Sequence, residues 1–294
     1  MDELTRRQML TVTGAAAATI AASLLGAAPT LRPGMARAQT ATWSHDPASP
    51  IGPDHWADIG FPTCGQGMRQ SPVNIRTRQV AADHGRPLLL SYQVSELTVE
   101  NTGHVVEVPI PTGVHDTLRL DGDRYQLAQY HFHAPSEHAI NGRLADMEAH
   151  LVHHNAQGAT AVVGILFRRG PDPNPLLDKI LLSAPATAGA EVHAGDASPA
   201  ELFDDLRRVT VKRKRRVQVN SFYTYDGSLT TPGCTENVRW SVVAAGGQVS
   251  KAAVTRFHEV ISRFPGYGGY PNNNRPLQPL NRRVVQLRRG RHED

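Results

Sequence analysis

Gln129-Tyr130-His131-Phe132-His133 and Glu148-Ala149-His150-Leu151-Val152-His153 decide both the fold and the chemistry of this chain. Side chains of a β-strand alternate between two faces. Read as a strand, the first run puts His131 and His133 on one face and Ala128, Tyr130 and Phe132 on the other. The second puts Glu148, His150 and Val152 together, opposite Met147, Ala149 and Leu151. Pairing the two strands collects three imidazoles. Three neutral nitrogen donors without a fourth protein ligand is the arrangement of a catalytic zinc site, which keeps one position open for water. Gln129 and Glu148 each lie two residues before a histidine on the same face. A ligating histidine gives its other ring N–H to such an acceptor, which fixes its tautomer and orientation.

Outward from these runs the chain reads as strands. Leu88–Tyr92, Leu97–Glu100, Val105–Val108, Thr117–Leu120, Tyr125–His133, Met147–His154 and Ala161–Phe167 are short apolar or alternating stretches, separated by turns such as Asp121-Gly122-Asp123 and Asn141-Gly142. That density predicts a β-dominated fold. Helical periodicity is confined to Asn174–Ser183, Pro199–Arg208 and Ser250–Phe264, with a short helix start at Asp54–Asp58. Gln39–Ile51 is polar and Pro-bearing and reads as a surface arm. The chain has 294 residues, 40% hydrophobic and 20% charged, which excludes a disordered or fibrous class. The expected class is β-dominated α+β, and no linker divides the region after residue 38.

The N-terminus reads as an export signal over residues 1–38. Arg6-Arg7 precede a mildly apolar run from Thr11 to Ala28, and Ala36-Arg37-Ala38 offers a cleavage site. Paired arginines before a weak apolar run indicate the twin-arginine route, with general secretion as the alternative. The run is too weak for a stable membrane span. The expected location is periplasmic or extracellular, with no stable membrane insertion after cleavage. Removing the signal lowers the formal charge from +4 to +2, a weak guide to partners. In an oxidising compartment the only two cysteines, Cys64 and Cys234, read as one disulfide.

The histidine runs, with Ser136-Glu137-His138, resemble the core signature of α-class carbonic anhydrases. Other segments agree in family order: Arg69-Gln70-Ser71-Pro72-Val73-Asn74-Ile75, Asn101-Thr102-Gly103-His104, Ser228-Leu229-Thr230-Thr231-Pro232, and Asn274-Arg275-Pro276-Leu277-Gln278-Pro279-Leu280. The resemblance extends from about Trp43 to Arg283. It implies one domain over residues 39–294, around a large, twisted, mostly antiparallel sheet with short peripheral helices. It implies a lyase that reversibly hydrates carbon dioxide to bicarbonate and a proton, by zinc-hydroxide attack and proton shuttling to buffer, with a weak esterase side activity. One Zn2+ per chain is expected on His131, His133 and His150, with Gln129 and Glu148 behind them.

The same resemblance assigns other roles. Thr230 would accept from the nucleophile and donate to Glu137, and His104 would carry the proton out. Val152, Val162, Leu229, Thr231, Val238 and Trp240 would line the substrate pocket. It also sharpens the Cys64–Cys234 pairing, which would tie the Thr230 loop to the body of the fold. The chain departs from the family where Trp43-Ser44-His45 stands in place of Trp-Gly-Tyr, so His45 either replaces a site tyrosine or lies outside the pocket. Carbon dioxide and bicarbonate are the expected small-molecule partners, and the chain is read as a monomer or homodimer. The five cations Lys212-Arg213-Lys214-Arg215-Arg216 carry no interleaved aromatic residues, so they read as a solvated, extended segment and not as a nucleic-acid site, with contact to an anionic envelope surface as the alternative. No Gly-x-Ser-x-Gly or His-Glu-x-x-His motif favours a dedicated hydrolase.

Overall fold

The computed structural model describes residues 43–290 except 205 and 214, so the expected export signal over residues 1–38 lies outside the described residues. Among the described residues, fifteen strands join in one large sheet. In chain order they are β1 (Ala81–Asp83), β2 (Leu88–Ser91), β3 (Ser95–Asn101), β4 (Val106–Pro109), β5 (Thr117–Leu120), β6 (Asp123–His133), β7 (Met147–His154), β8 (Thr160–Arg169), β9 (Glu191–Ala197), β10 (Val209–Lys212), β11 (Arg216–Val219), β12 (Ser221–Ser228), β13 (Glu236–Val243), β14 (Gly247–Val249) and β15 (Gln286–Arg289). The main path runs β10-β11-β2-β5-β6-β7-β8-β13-β12-β15-β1. Most pairs are antiparallel, but β8 pairs in parallel with β13 and β14, and β15 with β1, so the sheet is mixed. A second, three-stranded sheet joins Asn74–Ile75, Ala139–Ile140 and Arg143–Leu144.

Strand position explains the sequence pattern. β2 alternates buried and exposed residues because one face meets water. β7 and β8 sit mid-sheet and are buried on both faces almost throughout, which is why they read as continuous runs. β6 has different neighbours along one edge: β5 beside its first half and β4 beside its second. Between those halves the register with β7 slips, Val152 facing Gln129 and His153 facing Leu127. Ala128 is the extra residue of this bulge, and its carbonyl accepts from Ile110 N at 3.0 Å. The bulge lets Tyr125 and Leu127 join the same core as Tyr130 and Phe132, which simple alternation could not.

That core also takes Met147, Ala149 and Leu151; of the helices, α1 (Thr63–Gln66) carries Cys64, and α2 (Pro175–Ser183) and α3 (Lys251–Ile261) cover the core. Asn174 caps α2 by accepting from Leu177 N, and Ser250 caps α3 by accepting from Ala253 N. Each helix lays a Leu-, Ile- or Phe-bearing stripe on the sheet, worth about 1.5–3 kcal/mol per large buried side chain. The expected helix over Pro199–Arg208 is shorter: only Pro199–Phe203 winds, as a 3-10 turn. Pro199, Ala200, Leu202 and Phe203 are all buried and only Glu201 reaches water, so the segment lacks the wide polar face of an amphipathic helix. The surface arm is also corrected, because Trp43, Ser44 and His45 are buried. They pack beside Trp56 and the Cys64–Cys234 disulfide, which spans 170 residues.

Candidate metal centre

β6 and β7 set His150 opposite His131 and Glu148 opposite His133. The imidazole centroids are 5.1 Å (131–133), 5.3 Å (131–150) and 4.6 Å (133–150) apart. One nitrogen from each ring lies within 4.8 Å of the other two. The remaining nitrogens face acceptors. His131 Nδ1 is hydrogen-bonded at 2.8 Å to Gln129 Oε1 and His133 Nδ1 at 2.8 Å to the Asn273 carbonyl, while His150 Nε2 approaches Glu148 Oε1 to 3.0 Å without hydrogen-bond alignment. A carbonyl or carboxylate only accepts, so those nitrogens carry the protons. The lone pairs of His131 Nε2, His133 Nε2 and His150 Nδ1 are therefore free. His133 Nε2 is buried without a partner. Burial holds His131 and His133 below the ordinary imidazole range, His131 helped by the adjacent His133 and His150. Three converging neutral nitrogens, one of them buried and unpaired, fit a borderline-soft divalent ion such as zinc.

His138, Glu148 and His150 form a second close group. It is already saturated. Glu148 Oε2 accepts from Glu137 N (2.9 Å) and His138 N (2.8 Å), while Oε1 meets His138 Nδ1 at 2.7 Å as well as His150. His138 Nε2 lies 2.6 Å from Tyr225 Oη, which bonds Ser71 Oγ at 2.9 Å. Burial alone would raise the Glu148 carboxyl, but His138 and His150 outweigh it and hold Glu148 well below the usual range. This group therefore orients His150 and has no nitrogen to spare on His138.

Glu137 is fully buried. Its Oε1 accepts from Arg275 N at 2.8 Å, and Oε2 is buried without a partner, 3.8 Å from His150 Nδ1. The Arg275 guanidinium binds Gln70 Oε1, the Ser71 carbonyl and the Cys64 carbonyl, so the disulfide region and Glu137 share one anchor. Thr230 is 5% exposed, on a loop closed by Cys234 N→Thr231 O (2.9 Å) and by the disulfide. Among the described residues no hydrogen bond joins Thr230 to Glu137. Val152, Val162, Val238 and Trp240 are buried in one cluster with Leu229 against it, and Thr231 is half-buried nearby in the chain. The Trp240 ring lies 4.8 Å from that of His150.

His104 is half-buried and stacks on Trp43 at 3.8 Å between centroids. Burial pushes its imidazole down to about 4, and its Nδ1 is buried without a partner. His45 lies in the same interior, with Nδ1 2.5 Å from Tyr267 Oη and its ring centroid 6.5 Å from that of His133. His45 is thus part of the interior beside the site. Sequence reading assigned no role to His138, Tyr225, Ser71, Asn273 or Arg275. His138 adjoins Glu137 and could have been suspected. Asn273 acts on His133 through its backbone carbonyl, and no side-chain pattern announces that.

A family model described as eukaryotic-type carbonic anhydrase matches residues 51–289. A carbonic anhydrase of Nostoc sp. is 33% identical over 287 residues, covering 96% of this chain and 97% of that protein. A carbonic anhydrase of Klebsiella pneumoniae is 34% identical over 245 residues, covering 83% and 89%. The solved α-carbonic anhydrase of Thermovibrio ammonificans, in complex with the inhibitor sulfanilamide, superposes with a TM-score of 0.72 at 34% identity, covering 84% of this chain and 100% of that one.

Proposed function

The chain belongs to the eukaryotic-type, or α, carbonic anhydrase family, whose reaction is carbon dioxide hydration, and on that footing we propose how its own residues perform it. His131 Nε2, His133 Nε2 and His150 Nδ1 would hold one zinc ion. When bound, zinc supplies the Lewis acidity that makes water a nucleophile near neutral pH. The buried, unpaired His133 Nε2, beside a His131 ring held by Gln129 and a His150 ring 3.0 Å from the Glu148 carboxylate, is the observation that carries this reading.

The other residues orient the nucleophile and move its proton. A hydroxyl has one proton to give. If Thr230 gives it to the unpaired Oε2 of Glu137, the Thr230 oxygen can only accept from the attacking oxygen, which directs that oxygen's lone pair at the substrate. Carbon dioxide is apolar and would rest against Val152, Val162, Leu229, Val238 and Trp240, beside Thr231. The substrate carbon gains a C–O bond and leaves as bicarbonate. The proton released would pass through water to His104; burial against Trp43 pushes that imidazole down to about 4, so it would accept a proton near neutral pH only with its ring turned away from Trp43 into water. Zinc-assisted ester hydrolysis is expected only as a weak side reaction.

The Cys64–Cys234 disulfide suits an oxidising compartment, and no helix of the described residues is long and apolar enough to cross a membrane. With residues 1–38 read as a twin-arginine signal and 39–294 as the catalytic domain, the enzyme would act in the periplasm or outside the cell. Stopped-flow hydration of carbon dioxide tests the proposal. Activity should vanish on chelation and return with added zinc. Full activity in protein shown to be metal-free would contradict it.

A further inference from the structure

The five consecutive cations Lys212–Arg216 play no part in the reaction above, and the fold gives them unexpected company. The first and last of them sit on the β10–β11 hairpin, with Lys212 opposite Arg216. Next along the sheet come β2, β5 and β6, where Gln218 faces Leu89, Leu89 faces Arg119, and Arg119 faces Arg124. Lys212, Arg216, Arg119 and Arg124 are all exposed on the side of the sheet away from the core residues Leu88, Leu90, Leu118 and Val217. They line a shared groove of about 510 Å³. Two cation pairs flank a trough floored by Leu89, which is 44% exposed. Two strand spacings, about 10 Å, separate the pairs.

None of these four cations makes an ion pair among the described residues, although Arg169, Arg239 and Arg288 on the same sheet are paired with acids. Arg213 and Arg215 add exposed charge at the hairpin turn. A groove built to hold one small anion would converge its cations on one point, whereas these are spread over four strands of a sheet face. Three of the four are arginines, whose planar forks match phosphate oxygens. No aromatic side chain lines the groove to stack a nucleic-acid base. An exposed leucine among cations suits a surface with charged headgroups over an apolar layer. β6 carries Arg124 and His131 seven residues apart, about 23 Å of strand, so the groove is distinct from the candidate metal centre.

We propose that this face docks the enzyme reversibly on an anionic phospholipid surface through phosphate contacts from Lys212, Arg216, Arg119 and Arg124. The test is co-sedimentation of the full chain with phosphatidylcholine vesicles and with vesicles that also contain phosphatidylglycerol. Binding should require phosphatidylglycerol and disappear at high salt. Each cation lost from the face should weaken it roughly fivefold, so Arg119→Gln with Arg124→Gln should weaken it about 25-fold. Arg143→Gln with Arg289→Gln removes equal charge from exposed positions elsewhere and should have little effect. Equal weakening by both pairs, salt-insensitive binding, or no binding to phosphatidylglycerol vesicles overturns the proposal. Capture of a short DNA duplex without vesicle binding would assign the face to nucleic acid and overturn it too.

Discussion

On one face of the β6–β7 pair stand Tyr130, Phe132, Ala149 and Leu151; on the other stand Gln129, His131, His133, Glu148 and His150. The core face needs only volume and apolarity, which nearby strands and α2 and α3 supply. The opposite face is nearly as buried but polar, so its donors and acceptors need partners. Asn273 and Arg275, near the end of the chain, reach back to His133 and Glu137, and the disulfide ties the Thr230 loop to Cys64. One face is thus satisfied by composition and the other by particular atoms brought from far along the chain.

The largest expected effects come from breaking each face separately. His131→Ala should remove zinc and carbon dioxide hydration together while leaving the fold intact, as read by metal analysis and thermal unfolding. Leu151→Ala should do the reverse: about 2–5 kcal/mol of stability lost, with zinc stoichiometry retained in the folded fraction. Loss of zinc in Leu151→Ala under conditions where it remains folded would show that the two faces are not separable.

Thr230→Ala sharpens the comparison within the polar face. It removes an orienting hydroxyl and no ligand, so zinc should stay bound while hydration falls on the order of 100-fold. Near-normal hydration would refute the role given to Thr230.

The smallest effect concerns His104. Its imidazole sits at about 4 because burial against Trp43 disfavours the charged ring. Trp43→Ala should raise it towards 6.5, so that protonation on acidification begins at higher pH; NMR titration of the ring reads this directly. His104→Ala should slow steady-state hydration in weak buffer, with imidazole restoring much of it, and leave carbon dioxide–bicarbonate exchange nearly unchanged. An equal fall in exchange would remove His104 from the relay.

The strand pair, its three histidines and their Gln129 and Glu148 partners were legible because period-two alternation is local. Since Val152 or Val238 reads as ordinary core, the residues proposed as the apolar wall were singled out through family resemblance alone, and the structure shows them as one buried apolar cluster. The Ala128 bulge was not legible: it turns Leu127 and Tyr125 onto the Tyr130–Phe132 face without leaving a Gly or Pro to mark it. Nor was the burial of Trp43 and His45, whose polar, Pro-bearing context masks contacts with Trp56 and Tyr267. The Asn273 carbonyl and the Arg275 anchor depend on backbone atoms and long-range closure, which residue type does not encode.

The central claim is that three specific nitrogens are metal ligands. Anomalous scattering at the zinc absorption edge, from crystals of the purified protein, tests it most directly. The account predicts one peak per chain, bonded at about 2.0–2.1 Å to His131 Nε2, His133 Nε2 and His150 Nδ1. A peak on His138 and Glu148 instead, or no bound metal in catalytically active crystals, would contradict it.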